Sequence, residues 1–336
     1  MSQSAIELKE DRHRPTWVRG FVERRLEFLC LGVAGASLLA FAGRWWWILD
    51  LFCHYRVYYA MFLLVGSITL LQWQRRKPAA IAMLMAIVNL VLVVPLQLRD
   101  PTAPASDTDV STLRVMSLNV NTRNPHRESV ANCIRKYQPD VLLMMEVNQS
   151  WLDDLHAVSL FADFEYQMEQ PREDNFGIAI YSRHELTEQA VRSLSAHDLP
   201  TLVTTIHVDG HRFRFIGTHP VPPINGAMTR TRDIQLQAVA QLAAQSDIPC
   251  IVAGDLNTTS WSYCFGDLLK TSRLRDSRRG FGVQPTWFLF GGLLQIPIDH
   301  VLIPDQLTAS GRFIGPDVGS DHRAVIVDLG ILPHSR

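Results

Sequence analysis

Two hydrophobic patterns divide the chain, and the change between them falls near residue 100. Before it stand three apolar stretches, roughly Phe28–Trp47, Val57–Trp73 and Ala79–Leu96. Each approaches the ~20 residues that a helix needs to cross a bilayer core. Each is apolar all round rather than amphipathic, which disfavours a bundle of water-facing helices. Trp45, Trp46, Trp47, Tyr58, Tyr59 and Trp73 gather at the ends of these runs, as interfacial aromatics do. The pattern predicts three membrane-spanning helices. Ala40–Gly43 also has the small-residue spacing of a signal-peptidase site, but cleavage there would leave the later spans in place.

The stretch Asp100–Thr112 is small, polar and proline-containing, and reads as a linker. The expected organisation is a membrane domain over 1–99, a linker over 100–112 and a further domain over 113–336. In that last domain the apolar runs become short. LRVMSLNV, DVLLMMEV, FGIAIYS, LVTTIHV, RFRFIGTH, PCIVAGDLN, IDHVLIP and AVIVDLGIL are strand candidates. Several are apolar on both alternating faces, so their sheets should be covered on both sides. Asp209-Gly210 between two alternating runs signals a hairpin. His207 and His211 beside it read as surface residues rather than a metal pair. RESVANCIRKY and TRTRDIQLQAVAQLAAQ predict amphipathic helices. This order fits two sheets packed face to face with helices outside.

Charge sharpens the division. The 336 residues carry a net charge of −1, but residues 1–100 hold 12 Lys and Arg against 7 Asp and Glu. The rest holds 20 against 26, a net of −6. Lys9, Arg12, Arg14, Arg19, Arg24 and Arg25 precede the first span, and Arg75, Arg76 and Lys77 lie between the second and third. The first connection has only Arg44 and Arg56. Basic loops stay cytoplasmic. The expectation is a multi-pass inner-membrane protein with its C-terminal domain on the periplasmic side. The five cysteines show no paired spacing, so neither a zinc site nor a disulfide framework is read, and Cys250 reads as strand packing. Arg273, Arg275, Arg278 and Arg279 read as a solvated basic face.

Against these apolar strands the polar residues stand out by position. Asn119 closes the first strand, and Glu146 follows five apolar residues. His219 ends FIGTH, while Asp255 and Asn257 end the PCIVAGDLN run. Asp299 interrupts IPIDHVLI, and Asp321 and His322 precede the last strand. Each has a bland reading as a cap, an Asx turn or a solvated strand end. Together they suit phosphate-ester hydrolysis. Oxygen ligands such as Asn119, Glu146 and Asp321 favour Mg²⁺ or Mn²⁺ over zinc. Asp255 would act on the attacking water, Asn257 would donate to the transition state, and His322 held by Asp299 would bind phosphate or pass a proton.

In this order SLNV, PDVLLMMEV, GIAIYSR, GTH, GDLNTT, IDHVLI and GSDHRAV resemble the endonuclease/exonuclease/phosphatase superfamily with its DNase I-like fold. The resemblance spans essentially all of 113–330. It implies a four-layer α/β/β/α sandwich, here preceded by three transmembrane helices, with a divalent-metal site where the sheets meet. It also implies that Asn119 and Glu146 are metal-site residues and that His219 and Asn257 contact the phosphate. Asp255 would act on water, and the Asp299–His322 pair would face the scissile group. Asp321 would be a further metal-binding or orienting carboxylate. The family usually has Gln before the metal-binding Glu, where this chain has Met145. DLNTTSWS and IPIDHVL behind several apolar spans also resemble a bacterial membrane-anchored subgroup.

The resulting expectation is a membrane-anchored, metal-dependent phosphodiesterase of nuclease type. A phospholipid-headgroup or phosphoinositide-type phosphoesterase is the alternative within the fold, and a non-catalytic membrane-anchored binding module the alternative outside it. The expected partners are the lipid bilayer and a phosphodiester substrate, either nucleic acid or lipid headgroup; no protein partner is inferable. Trp261, Phe265 and Trp287 are read as either core or a stacking rim.

Overall fold

The computed structural model describes residues 16–98, 112–195 and 197–332. The linker expected over Asp100–Thr112 lies, Thr112 apart, outside the described residues, as do Lys9, Arg12 and Arg14. The N-terminal helices are α1 (Thr16–Leu39), α2 (Trp47–Leu51), α3 (Arg56–Gln72) and α4 (Arg76–Val93). The chain divides into two compact units, one of residues 1–39 and 56–91, the other of residues 40–55 and 92–336.

The first unit contains α1, α3 and most of α4. Small residues line its interior, with Cys30, Ala34, Ala79, Ala82 and Ala86 around Leu63 and Leu70. Small side chains let helix backbones approach closely where lipid removes the usual hydrophobic drive. Gly66 shows the tightness, because a Cβ there would lie 2.5 Å from Cys30 Sγ. The outward residues Phe28, Leu38, Met61, Val65, Leu84 and Val91 are apolar and exposed. Near one end, Arg56 donates to Ser37 O at 2.9 Å and to Asn89 Oδ1 at 3.2 Å, so a buried cation is held by all three helices. Arg19–Ala42, Trp47–Gln72 and Arg76–Leu96 are long and apolar enough to cross a membrane. The first of these starts and ends earlier than the apolar pattern suggests. The chain turns at residues 43–45, so Trp45 and Trp46 follow the helix instead of closing it.

The second unit is built on two sheets. Its strands are β1 (Thr112–Asn119), β2 (Val141–Met145), β3 (Tyr166–Gln170), β4 (Ile178–Ser182), β5 (Leu186–Ser193), β6 (Pro200–Val208), β7 (His211–Thr218), β8 (Cys250–Asp255), β9 (Arg275–Asp276), β10 (Trp287–Leu289), β11 (Leu294–Ile296), β12 (Asp299–Ile303), β13 (Leu307–Ile314) and β14 (Val325–Ile331). Its further helices are α5 (Arg127–Tyr137), α6 (Gln149–Ala157), α7 (Gly226–Ala244) and α8 (Tyr263–Ser272). One sheet runs β13-β14-β1-β2-β4-β3, the other β5-β6-β7-β8-β12-β9, and β10 and β11 form a separate hairpin.

The two-residue period of a strand sorts the side chains into layers. Leu113 and Val115 of β1 meet Phe213 and Phe215 of β7, Ile251 of β8 and Val301 of β12 between the sheets. Met116 and Leu118, one residue out of phase, pack outward on Ile134 and Trp151 of α5 and α6. The other sheet sends Ile216 and Val252 outward onto Leu236 and Val239 of α7 and Phe265 of α8. The result is the four-layer α/β/β/α sandwich. Asp209 and Gly210 both take positive φ, 46° and 80°, between paired Val208 and His211, the geometry of a two-residue hairpin turn. Residues 40–55, including α2, pack within this unit, and Leu96 O accepts N–H bonds from Gly280 and Gly282, each at 2.9 Å.

The solvated basic face expected over 273–279 is corrected in part. Arg278 is fully buried, 3.1 Å from Asp276, and also donates to Ser260. A carboxylate two residues away gives that guanidinium an internal partner, so it belongs to the core. Phe265 is likewise core, with its ring 4.5 Å from that of His300.

Candidate active site

The same two-residue period that sorts the core also places the polar residues. Leu113, Val115 and Asn119 are in phase on β1; Ile251, Ala253 and Asp255 on β8; Val301, Ile303 and Asp299 on β12. His219, just past β7, continues the phase of Phe213 and Phe215. Each strand thus carries its apolar inner face to one end of the sandwich and finishes it with a polar group. Register then joins them. Asp299 pairs directly with Asp255 across β12 and β8, and Asn119 pairs with Met145 across β1 and β2.

Backbone geometry turns the remaining groups. Glu146 leaves β2 at φ 59°, which breaks the strand alternation, and Asn257 leaves β8 at φ 49°. Gly254 permits the close passage of β8 beside β7: a Cβ there would sit 1.9 Å from Thr218 O, and its φ is 149°.

The side chains form one connected network. Asn119 donates to Glu146 Oε1 at 2.8 Å and to Asp255 Oδ2 at 3.3 Å. His219 lies 3.6 Å from Glu146 Oε1 and 3.3 Å from Asp255 O. The Asn257 N–H donates to Asp255 Oδ1 at 2.9 Å, while its side-chain amide donates to Pro220 O at 2.9 Å. His322 places Nδ1 2.9 Å from Asp299 Oδ2 and Nε2 3.5 Å from Asp255 Oδ2. Asp255, Asp299 and His322 can each offer a ligand atom within 4.8 Å of the others. Asp321 stands apart. It is exposed, and its carboxylate accepts from Asn121 Nδ2 at 2.8 Å and Trp287 Nε1 at 3.1 Å.

Three carboxylates around two imidazoles in a buried site set the protonation states. Burial pushes Asp255 up to about 6; the His322 charge opposes this and Asp299 adds to it. Burial would lower His322, but Asp299 and Asp255 outweigh it and hold the imidazole protonated up to about 10. Asp299 sits below the ordinary carboxylate range, because the charge and hydrogen bond of His322 exceed the cost of burial. Glu146 is lowered in the same way, with burial overcome by His219 and Asn119. His219 is raised, since Glu146 and Asp255 outweigh its burial.

Several supporting groups carried no clear sequence signal. Thr286 Oγ1 accepts the Asp299 N–H at 3.1 Å. Ser320 Oγ donates to Asn119 O at 2.8 Å and accepts from His322 N–H at 3.0 Å, tying the end of β1 to the histidine. Met145, where a glutamine was expected, accepts the Asp255 N–H on its sulfur at 3.1 Å. The Phe176 ring lies 5.5 Å from that of His219. Of the three aromatics read as core or rim, Trp287 is the one at this site, bridged through its backbone to His322. Trp261 instead donates to Leu92 O at 3.1 Å.

Residues 116–322 match the family model described as Endonuclease/Exonuclease/phosphatase family. No curated protein matches the chain. Among solved structures, an endonuclease/exonuclease/phosphatase from Beutenbergia cavernae is similar at 21% identity and TM-score 0.55, over 66% of this chain and 72% of that one. D. rerio TDP2 complexed with single strand DNA product is similar at 17% identity and TM-score 0.56, over 65% and 99%. A Bacteroides vulgatus endonuclease/exonuclease/phosphatase is similar at 17% identity and TM-score 0.55, over 66% and 99%.

Proposed function

The chain belongs to the endonuclease/exonuclease/phosphatase family, and from that premise we propose that it is a membrane-anchored, divalent-metal-dependent phosphodiesterase acting outside the cytoplasm. The observation that carries this reading is the buried Asp255–His322–Asp299 chain beside Glu146 and Asn119. Buried carboxylates in excess of their cations cost several kcal/mol unless a further positive charge joins them. Asp299 Oδ1, moreover, is buried without a hydrogen-bond partner. This oxygen-rich donor set fits a hard divalent cation, with Glu146 and Asn119 as the residues to hold it. Such an ion, Mg²⁺ or Mn²⁺, would neutralise charge developing on the phosphoryl oxygens.

The chain's own residues would do the rest. Asp299 fixes the His322 ring through Nδ1, leaving a protonated Nε2 to face an anionic phosphoryl group. Asp255, held by the Asn257 N–H, takes the proton of the attacking water. His219 lies where a second cationic donor can reach a phosphate oxygen, and Asn257 can turn its amide toward the transition state. Asp321 orients rather than ligates, because it holds Asn121 and Trp287 at the edge of the site. A binding module without catalysis gains nothing from a carboxylate poised at about 6.

A second reading, a lipid-headgroup phosphodiesterase, is favoured by one observation. The turn of the β10–β11 hairpin exposes Phe290 and Leu293, at 71% and 79%, a few residues from Trp287. Hydrolysis by the full-length protein of bis(p-nitrophenyl) phosphate, oligonucleotides and phospholipid vesicles, with Mg²⁺, Mn²⁺ or EDTA, separates the readings. Absence of metal-stimulated cleavage of every diester overturns both. The extracytoplasmic placement rests on Arg75, Arg76 and Lys77 between the second and third spans. Protease added to intact spheroplasts should remove the domain; protection until lysis reverses the orientation.

A further inference from the structure

The segment of residues 40–55, between α1 and α3, reaches the loop that carries Asp255 and Asn257. Asp50 is 1% exposed, an unusual place for a carboxylate, and both its oxygens are engaged. Oδ2 accepts from Arg232 Nη2 at 3.1 Å, and Oδ1 accepts from Ser262 Oγ at 2.8 Å. Arg232, fully buried on α7, passes the contact on, since its Nη1 donates to the main-chain carbonyl of Asn257 at 3.2 Å. His54, also buried, sets Nδ1 2.9 Å from Thr259 Oγ1. Ser262 caps α8, so Asp50 also grips the far end of the same loop.

That loop needs holding. Asn257 occupies the left-handed region at φ 49°, which asparagine tolerates better than other non-glycine residues but which its surroundings still have to select. His300 Nε2 also lies 2.8 Å from Thr258 O. The loop is therefore clamped at Asn257, Thr258, Thr259 and Ser262, and residues 40–55 supply two of the four attachments. Asp50, Cys53 and His54 have ligand atoms within 4.8 Å of one another, but the carboxylate and the imidazole are already committed to Arg232, Ser262 and Thr259.

We propose that Asp50 and His54 are positioning residues for the catalytic loop, acting through Arg232 and Thr259 on Asp255 and Asn257. The kinetic consequence rests on the phosphodiesterase reading; the structural one does not. A displacement of about 1 Å at a reacting group can cost on the order of 10²-fold in rate. Loosening the clamp should thus lower kcat and leave KM nearly unchanged, because neither residue touches substrate.

The test uses the full-length protein in detergent with bis(p-nitrophenyl) phosphate and Mg²⁺, together with amide hydrogen exchange over residues 255–262. D50N and H54A should lower kcat by about tenfold to a hundredfold and speed exchange at Leu256–Thr259. H54N, whose amide can occupy the Nδ1 position, should recover most of the loss. R44A is the control: it removes the ion pair of Arg44 with Asp267 at 2.7 Å, which fastens the same segment to α8 without reaching the loop. R44A should change neither readout. If D50N does not fold, H54A and its rescue by H54N decide alone. Unchanged kcat and exchange in H54A overturn the proposal, and so does an R44A effect equal to that of H54A. If the wild type cleaves no diester, the phosphodiesterase reading fails and hydrogen exchange still decides the role of the clamp.

Discussion

Asp299 and His300 are neighbours on β12, yet they point into two buried charge clusters of opposite character. On the helix side, His300 faces a cluster in which Asp276 is paired with Arg278 at 3.1 Å and Arg312 lies near. Burial would raise the Asp276 carboxyl, but the charges of Arg278, His300 and Arg312 hold it well below the ordinary range. On the inter-sheet side, Asp299 faces Asp255, and there burial and a like charge win, lifting Asp255 to about 6. Depth is the same, since all three aspartates are nearly inaccessible. The balance of charge differs. The first cluster is a structural ion pair, while the second stores unfavourable energy that a proton or a bound cation relieves.

The largest expected effect lies in the second cluster. EDTA should abolish hydrolysis. D255N should cut kcat by about 10²-fold or more, as expected for loss of a general base. E146Q should raise the metal concentration needed for half-maximal rate. Steady-state kinetics across a magnesium titration measure all three, and near-wild-type behaviour of D255N and E146Q would remove the functional half of the contrast.

The contrast was legible in the sequence only on one side. Asp255 and Asp299 stood out because each continues the inner phase of an otherwise apolar strand. The eight strands read from the pattern are β1, β2, β4, β6, β7, β8, β12 and β14, all interior to their sheets. The edges β3, β5, β9 and β13 escaped notice because one side of each meets solvent or loop, and β5 alternates too weakly to show a period. Arg278 was misread for a different reason. A run of arginines looks solvated until the fold supplies Asp276 and Ser260 on the inside. The Asp50–Arg232 contact joins residues 182 apart, and no local spacing encodes it. Asp321 was conspicuous only because it precedes His322, and the fold turns it outward to Asn121 and Trp287.

Breaking the structural cluster should cost stability instead of turnover. D276N leaves the Arg278 guanidinium buried without its counter-charge, a change worth about 3–5 kcal/mol. The thermal midpoint should fall steeply, while the folded fraction retains far more turnover than D255N. Asp255 should behave with the opposite sign. Its folded pKa is raised, so its favourable contribution exists below the ordinary carboxylate pKa and is lost as pH climbs through about 6. In chelated protein, D255N and wild type should be similar near pH 4. Above pH 6 the asparagine variant should be the more stable, by up to about 3 kcal/mol from a shift of roughly two units. Thermal midpoints of both variants across that range decide the sign; a D255N that is less stable than wild type at pH 7 would show that no strain is stored there.

The smallest expected effect concerns salt, and it follows from where the arginines went. Arg232, Arg278 and Arg312 are buried, committed to Asp50, Asp276 and Gln284 among others, and so cannot track a phosphate backbone. Even with these arginines counted, the chain from residue 101 onward carries a net charge of −6. A protein that neutralises 6–10 phosphates loses about 10³–10⁵ in affinity between 50 and 200 mM salt. Here KM for an oligonucleotide should change by no more than about tenfold over that interval, equivalent to roughly two phosphate contacts. Single strands and small diesters should be cleaved faster than long duplex DNA, with Trp287 at the edge of the site available to stack on an unpaired base. Measuring kcat/KM for matched single-stranded and duplex substrates at both salt concentrations tests this directly. A steep salt slope with duplex preference would mean that exposed cations elsewhere on the domain form a groove, and that the buried arginines are not the ones that matter for binding.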